Sequence, residues 1–242
     1  MKIIEKICRK QENNNGNPAV TIAFMGDSVT QGCFELYKTG ETSFTTVFDS
    51  ENGYIYKVKK ILSYLYPQVA FNIINAGLNG TTTNVGITRI ERDVLRYSPD
   101  LVVVCFGLND CHWGVDKICD FEKNLDIIFK TILDSGAEVI YMTPNMMNTE
   151  ISCHMTDPQF ISMAETVMKA QNEGVLEQFE EAAKKLCKKY DIPVCDCYAK
   201  WKLLEKNGVD TTSLLANYIN HPSREMHWLF AAELVDTMMN KE

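Results

Sequence analysis

The amino-acid sequence predicts an α/β protein, a three-layer α/β/α sandwich around a central parallel sheet of about five strands. Three observations predict it. Apolar runs recur at 20–25, 69–75, 101–106, 137–143 and 192–196, rich in Val, Ile and Phe rather than alternating with polar residues. Such runs suit strands covered on both faces. Helical periodicity fills the intervals, at about 53–66, 84–97, 118–135 and 158–190. Strands that alternate with helices make βαβ units, and these make parallel sheets. Finally, 242 residues, of which 45% are hydrophobic and 23% charged, suffice for one domain with a full core spanning 1–242.

Taken in order, residues 1–18 form a short helical segment followed by a polar linker, Glu12-Asn13-Asn14-Asn15-Gly16-Asn17-Pro18. The first apolar run ends at Met25, where Gly26 breaks it and presents Ser28 on a turn. Phe34 to Asn52, with Thr39-Gly40-Glu41-Thr42-Ser43 inside it, reads as an inserted loop. The second run closes on Asn75-Ala76-Gly77, and Gly77-Leu78-Asn79-Gly80-Thr81 is only a weak mimic of a phosphate-binding loop. Pro99-Asp100 opens the third run, and Gly107-Leu108-Asn109-Asp110 closes it. A second long connection, Thr143 to Pro158, carries Met146, Met147 and Met155 just after Met142. Methionine fills irregular gaps, so these side chains are expected to pack the segment onto the core; an adaptable apolar binding wall is the alternative. Ile192-Pro193 opens the fifth run, and a final helix is expected from Ser223, as N-cap, to Met239.

Several function classes are excluded by composition. A net charge of -8 and a pI near 5.1 leave no nucleic-acid footprint. The lysines at 184, 185, 188 and 189 read as a solvated helix face. No apolar stretch approaches the length of a membrane span, and no apolar signal-peptide core follows the four basic residues of Met1 to Gln11. The nine cysteines are odd in number and lack framework spacing; Cys105, Cys187 and Cys195 lie in apolar runs, and a reducing cytoplasm is the expected setting. Cys195-x-Cys197 has the wrong spacing for a thioredoxin-type pair, and His-Glu-x-x-His is absent, so neither a metal nor an organic cofactor is expected. Gly-x-Gly-x-x-Gly and Walker sequences are missing, as is the Gly-x-Ser-x-Gly elbow of ordinary α/β-hydrolases.

Ser28, Gly77 and Asn109 each follow an apolar run, so a parallel sheet brings all three to its C-terminal edge, where open α/β sheets bind ligands. His221 follows the fifth run and precedes the last helix, within reach of the same edge. A serine hydroxyl is a weak nucleophile at neutral pH, and a histidine within hydrogen-bond distance makes it a competent one. Taken alone, Ser28 would read as a helix cap.

These blocks resemble the SGNH or GDSL-type hydrolases. The family's first block matches Gly26-Asp27-Ser28-Val29-Thr30 with Gln31-Gly32 behind it; the glycine of its second block matches Gly77; its third matches Gly107-Leu108-Asn109-Asp110; the histidine of its fifth matches His221 in Asn220-His221-Pro222. The resemblance spans residues 20–239 and implies a flavodoxin-like fold with Ser28 as nucleophile and His221 as base. It assigns the oxyanion hole to the amides of Ser28 and Gly77 and the side chain of Asn109. One position departs from the pattern: the family usually carries aspartate three residues before the histidine, and here that residue is Tyr218. A backbone carbonyl could orient the imidazole in a Ser-His dyad, Asn217 could do so, or Glu225 could swing in.

Around these residues, Asp27 is expected to brace the loop beside the substrate and Asp110 the Asn109 turn. Leu78, His112 and Trp113 are candidate pocket walls, His227 and Trp228 are expected to pack or cap, and His154 to lie on an exposed loop. The expected activity is that of a cytoplasmic serine esterase acting on a small soluble ester, O-acetylated carbohydrate first. A lysophospholipase or short-chain acyl esterase is the alternative, and a catalytically degenerate sugar-binding domain a further one. No nucleic-acid or membrane partner is expected; a homo-oligomer is left open.

Overall fold

A computed structural model describes residues 1–240. The chain runs α1 (Lys2–Glu12), β1 (Val20–Gly26), α2 (Ser28–Gln31), β2 (Cys33–Lys38), β3 (Phe44–Phe48), α3 (Tyr54–Leu65), β4 (Phe71–Gly77), α4 (Thr83–Asp93), β5 (Leu101–Cys105), α5 (Ile118–Asp134), β6 (Glu138–Met142), α6 (Pro158–Asn172), α7 (Val175–Tyr190), β7 (Val194–Cys195), α8 (Cys197–Lys206) and α9 (His227–Met239). The central sheet is parallel and ordered β4-β1-β5-β6-β7. Its strands are the five apolar runs, and β5 is buried at every residue because helices cover both faces. α3 packs on α9, which also meets α1 and α8; on the other side α4 packs on α5, α5 on α7 and α7 on α6. The result is the α/β/α sandwich.

Strand order decides where a site can form. From β1 the chain crosses to β4 on one side and then back to β5 on the other. The register pairs Gly26 with both Gly77 and Cys105, so the three strands end level. The direction of winding reverses between β1 and β5, and open α/β sheets bind ligands outside the carboxyl ends of the strands at such a point. Ser28 and the Asn109 turn follow those two strands.

Four elements differ from the sequence reading. Phe34 to Asn52 is no loop: β2 and β3 pair antiparallel there, with a bulge between Cys33 and Leu36 and a turn closed by Thr39 N–H on the Ser43 carbonyl at 2.9 Å. Neither short strand, Cys33-Phe34-Glu35-Leu36-Tyr37-Lys38 or Phe44-Thr45-Thr46-Val47-Phe48, shows the strict apolar–polar alternation by which a strand is read from sequence. The single helix expected over 158–190 is two, separated at Gly174, whose φ of +69° ends helical geometry. The last helix starts at His227 rather than after Ser223, because residues 223–226 form a turn in which His227 N–H reaches the Ser223 carbonyl at 3.3 Å. α8 was not expected; Asp196 caps it, accepting from Ala199 N–H at 3.0 Å. The connection after β6 packs onto the core, with Met146 and Met147 fully buried.

Candidate active site

The site begins at a close approach of backbones. A Cβ on Gly26 would fall on the Thr30 side chain and the Cys105 carbonyl, so only glycine lets β1 turn sharply into α2 between its neighbours. Asp27 caps that turn, its Oδ1 accepting from Val29 N–H at 3.0 Å. Ser28 is thereby fixed in the first turn of α2, nearly buried.

His221 arrives from the loop before α9. Its Nε2 lies 3.0 Å from Ser28 Oγ, and its Nδ1 lies 2.8 Å from the Phe34 carbonyl oxygen. A carbonyl can only accept, so Nδ1 carries the proton and Nε2 is left as acceptor for the serine hydroxyl. That is the tautomer a general base needs. Burial pushes His221 below the ordinary histidine range, and the Phe34 hydrogen bond partly offsets this. The ring partner is therefore a backbone carbonyl of β2. Asn217 does not touch the ring. Its Oδ1 accepts from the N–H groups of Ile219, Asn220 and His221 at 3.0, 2.9 and 2.9 Å, which braces the loop bearing His221. Tyr218 sits in that tight loop at φ 56°, and the Glu225 carboxylate bonds to Ser223 Oγ at 3.0 Å.

Asn109 follows β5. Its Nδ2 donates to the Thr81 carbonyl at 3.0 Å and to Asp27 Oδ2 at 3.4 Å, tying the third block to the first and to the turn after β4. Gly77 is differently placed from what the resemblance implies. Its N–H is engaged by Asn75 Oδ1 at 2.9 Å, and its Cα lies against the Thr30–Gln31 backbone, where a Cβ could not fit. Along the same turn Leu78 N–H bonds to the Gly26 carbonyl, Asn79 N–H to Gln31 Oε1 and Thr81 N–H to the Leu78 carbonyl. From 77 to 81, Gly80 alone has an amide without a partner among the described residues, and its φ is +71°. A second glycine three residues past the strand end was the sequence signal for it.

The remaining candidates divide between support and rim. Asp27 is buried beneath the serine, and burial pushes its carboxyl up to about 7. Asp110 accepts from Thr83 N–H and Oγ1 at 3.0 and 2.6 Å, capping α4 and so bracing the Asn109 turn. Leu78 is 40% and Trp113 73% exposed, and His112 is exposed beside Trp113 in sequence. Trp113, Gly80, Val85 and Asp110 line a cleft of about 590 Å³ that Ser28, Asn109 and His221 do not line. Arg89 escaped the sequence reading. Its buried guanidinium donates to the Ala76 and Gly26 carbonyls, clamping the ends of β4 and β1 together. Among the described residues no helix is long and apolar enough to cross a membrane.

Known proteins resemble this chain in part of its sequence and in its fold. Over 89 residues the chain is 34% identical to an acetylxylan esterase of Geobacillus stearothermophilus, a match covering 37% of this chain and 39% of that protein. Over 96 residues it is 30% identical to an arylesterase of Vibrio mimicus, covering 37% of this chain and 48% of that one. The chain thus matches less than half the length of either curated relative. Among solved structures, the Geobacillus acetylxylan esterase Axe2 superposes with a TM-score of 0.68 at 22% identity, over 92% of this chain and 95% of that one. A two-domain esterase active on acetylated mannans does so with a TM-score of 0.67 at 20% identity, over 98% of this chain and 52% of that one. At such identities the likeness is one of fold. Residues 24–229 match the family described as GDSL-like lipase/acylhydrolase, and this chain belongs to that family.

Proposed function

We propose that this protein is a serine esterase that removes small acyl groups, acetyl foremost, from carbohydrate. The observation that carries the reading is the Ser28 Oγ to His221 Nε2 contact of 3.0 Å, with the imidazole tautomer set by the Phe34 carbonyl. The acetylxylan esterase relative and the acetylated-mannan esterase of like fold support the substrate class.

In this reading Ser28 Oγ attacks the ester carbonyl while its proton passes to His221 Nε2. The imidazolium then protonates the leaving alcohol, and water repeats the cycle on the acyl-enzyme. Negative charge grows on the carbonyl oxygen. The donors available to meet it are the Ser28 amide, Asn109 Nδ2, whose 3.4 Å contact with Asp27 is long enough to yield, and the Gly80 amide in place of that of Gly77. Loss of one such donor costs about 10²–10³ in turnover in other acyl-transfer enzymes.

The test is acetate release from acetylated xylo- and manno-oligosaccharides beside a series of p-nitrophenyl acyl esters. Ser28→Ala is expected to abolish both hydrolysis and fluorophosphonate labelling with the fold intact. Activity above about a tenth of wild type would remove Ser28 as nucleophile. Acetyl is expected to exceed octanoyl by at least about tenfold, which needs only about 1.4 kcal/mol of discrimination. Equal or faster octanoyl turnover would favour a lipid esterase. A protein that neither takes the label nor hydrolyses any ester would favour a degenerate sugar-binding domain.

A further inference from the structure

His221 lacks the carboxylate partner usual in its family, and the acceptor it has instead belongs to the Phe34–Glu35 peptide unit of β2. One side chain contacts both residues of that unit, which the β2–β3 pairing and the Thr46 hydroxyl on the Glu35 carbonyl at 3.0 Å also hold. Arg224, three residues past His221, donates through two nitrogens to the Glu35 carboxylate at 2.5 and 3.1 Å. Its Nε donates to Asp49 Oδ2 at 2.8 Å, and its guanidinium lies over the buried Phe34 ring, 4.3 Å from the centroid. Arg224 therefore grips both neighbours of the acceptor carbonyl, the ring before it and the carboxylate after it. Its own backbone continues the loop that carries the base. Asp49 is anchored in turn, its N–H on the Gly32 carbonyl at 2.8 Å.

A neutral carbonyl cannot hold an imidazole by charge as a carboxylate does, so alignment depends on how firmly both ends are placed. A planar guanidinium that forks onto a carboxylate and stacks on a ring fixes direction as well as distance. Arg224 also draws Glu35 and Asp49 below the ordinary carboxylate range, so both stay ionised and the trio carries a net charge of -1 behind the carbonyl. We propose that Arg224, pinned by Glu35 and Asp49, is a positioning residue that takes over the work of the absent triad carboxylate. It fixes the Phe34 carbonyl on His221 Nδ1 and so aligns Nε2 on Ser28. This inference rests on the esterase reading for its kinetics.

The experiment uses the full chain and p-nitrophenyl acetate. The cluster is partly exposed, and exposed ion pairs add little to stability, so Arg224→Ala is expected to fold with a melting temperature within about 3 °C of wild type. Its kcat is expected to fall about 10–100-fold with KM within about threefold, because a misplacement near 1 Å costs that much in rate. Arg224→Lys and Glu35→Gln, which keep the charge or the shape but not the fork, are expected to lose less. Proton NMR of the imidazole gives a second readout: the downfield His221 Nδ1–H signal of wild type is expected to broaden or vanish in Arg224→Ala. A folded Arg224→Ala with kcat within about twofold of wild type and an unchanged imidazole signal would overturn the proposal. If Arg224→Ala fails to fold, Arg224→Lys and Glu35→Gln decide it by the same two measurements. A wild type that hydrolyses no ester would sink the esterase reading alone, and the imidazole signal would then decide the role of Arg224.

Discussion

In the proposed esterase mechanism, His221 concentrates the chemistry in one ring. It must be neutral to accept the serine proton, so the acid limb of kcat/KM reports its ionisation in the free protein. Burial pushes that ionisation below the ordinary histidine value, and the carbonyl partner restores only part. The midpoint of the acid limb is therefore expected below about 6.5. A midpoint above 7 in Asp27→Asn, which removes the carboxyl ionising at about 7 but keeps an acceptor for Val29 N–H, would contradict this. Ser28 and Asn109 stood out in the sequence because each closely follows a glycine at the end of an apolar run, and His221 because Asn220-His221-Pro222 resembles a family block. The carbonyl of Phe34 did not, since a backbone group has no signature in sequence. Asn217 was read as one of three partners for the ring and instead holds three backbone amides of the same loop.

At the scale of elements, α7 supports the site from below. Glu180 is fully buried, and its carboxyl lies where a Cβ on Gly107 would stand, so the Gly107–Asp110 turn rests on it. Tyr141 of β6 places its hydroxyl 2.9 Å from the Phe106 carbonyl and 3.0 Å from Glu180 Oε2. One hydroxyl proton cannot serve both. Burial pushes Glu180 well above the usual carboxyl range, and a neutral carboxyl supplies the second proton. Glu180→Gln, neutral and of the same shape, is expected to cost less than about 1 kcal/mol. Glu180→Ala leaves a cavity and removes one of the two partners of the buried Tyr141 hydroxyl, and is expected to cost about 2–4 kcal/mol. Denaturant unfolding measures both, and equal losses would show that the carboxyl is needed charged. Nothing in the sequence distinguished Glu180 from its neighbours Glu177 and Glu181. The helical face was legible, but what lay opposite it was not.

For the molecule as a whole, stability is coupled to pH through groups folded in a neutral state. His227 is fully buried between Phe34, Tyr54 and Phe230, and its Nδ1 accepts from Tyr54 N–H at 2.9 Å, capping α3. Burial lowers its ionisation to about 3. Below about pH 6.5 the unfolded chain protonates this histidine and the folded one does not. Its contribution is thus whole above that pH and is lost progressively as pH falls toward about 3. Asp27 acts in the opposite sense: its raised ionisation gives stability that is whole below about pH 4 and lost as pH rises through about 7. Comparison with His227→Asn, which keeps an acceptor for Tyr54 N–H, isolates the histidine. The stability gap between wild type and variant is expected to narrow from pH 7 to pH 5, and a gap independent of pH would sink this account.

The sequence by itself determined the α/β class, the parallel sheet, its five strands and the strand ends at which Ser28 and Asn109 stand. Each of these is written in local patterns: apolar runs long enough to be buried on both faces, glycines that break them, and side chains left at the strand ends. Tertiary structure alone decided what completes the site. The β2–β3 hairpin, read as a loop, supplies the acceptor for His221, and Arg224 reaches back across 189 positions of sequence to hold it at Glu35. Gly80 rather than Gly77 keeps a free amide because Asn75 folds back onto the latter. These choices rest on hydrogen bonds between groups distant in the chain or on backbone atoms that every residue shares. Neither leaves a pattern to read until the chain is folded.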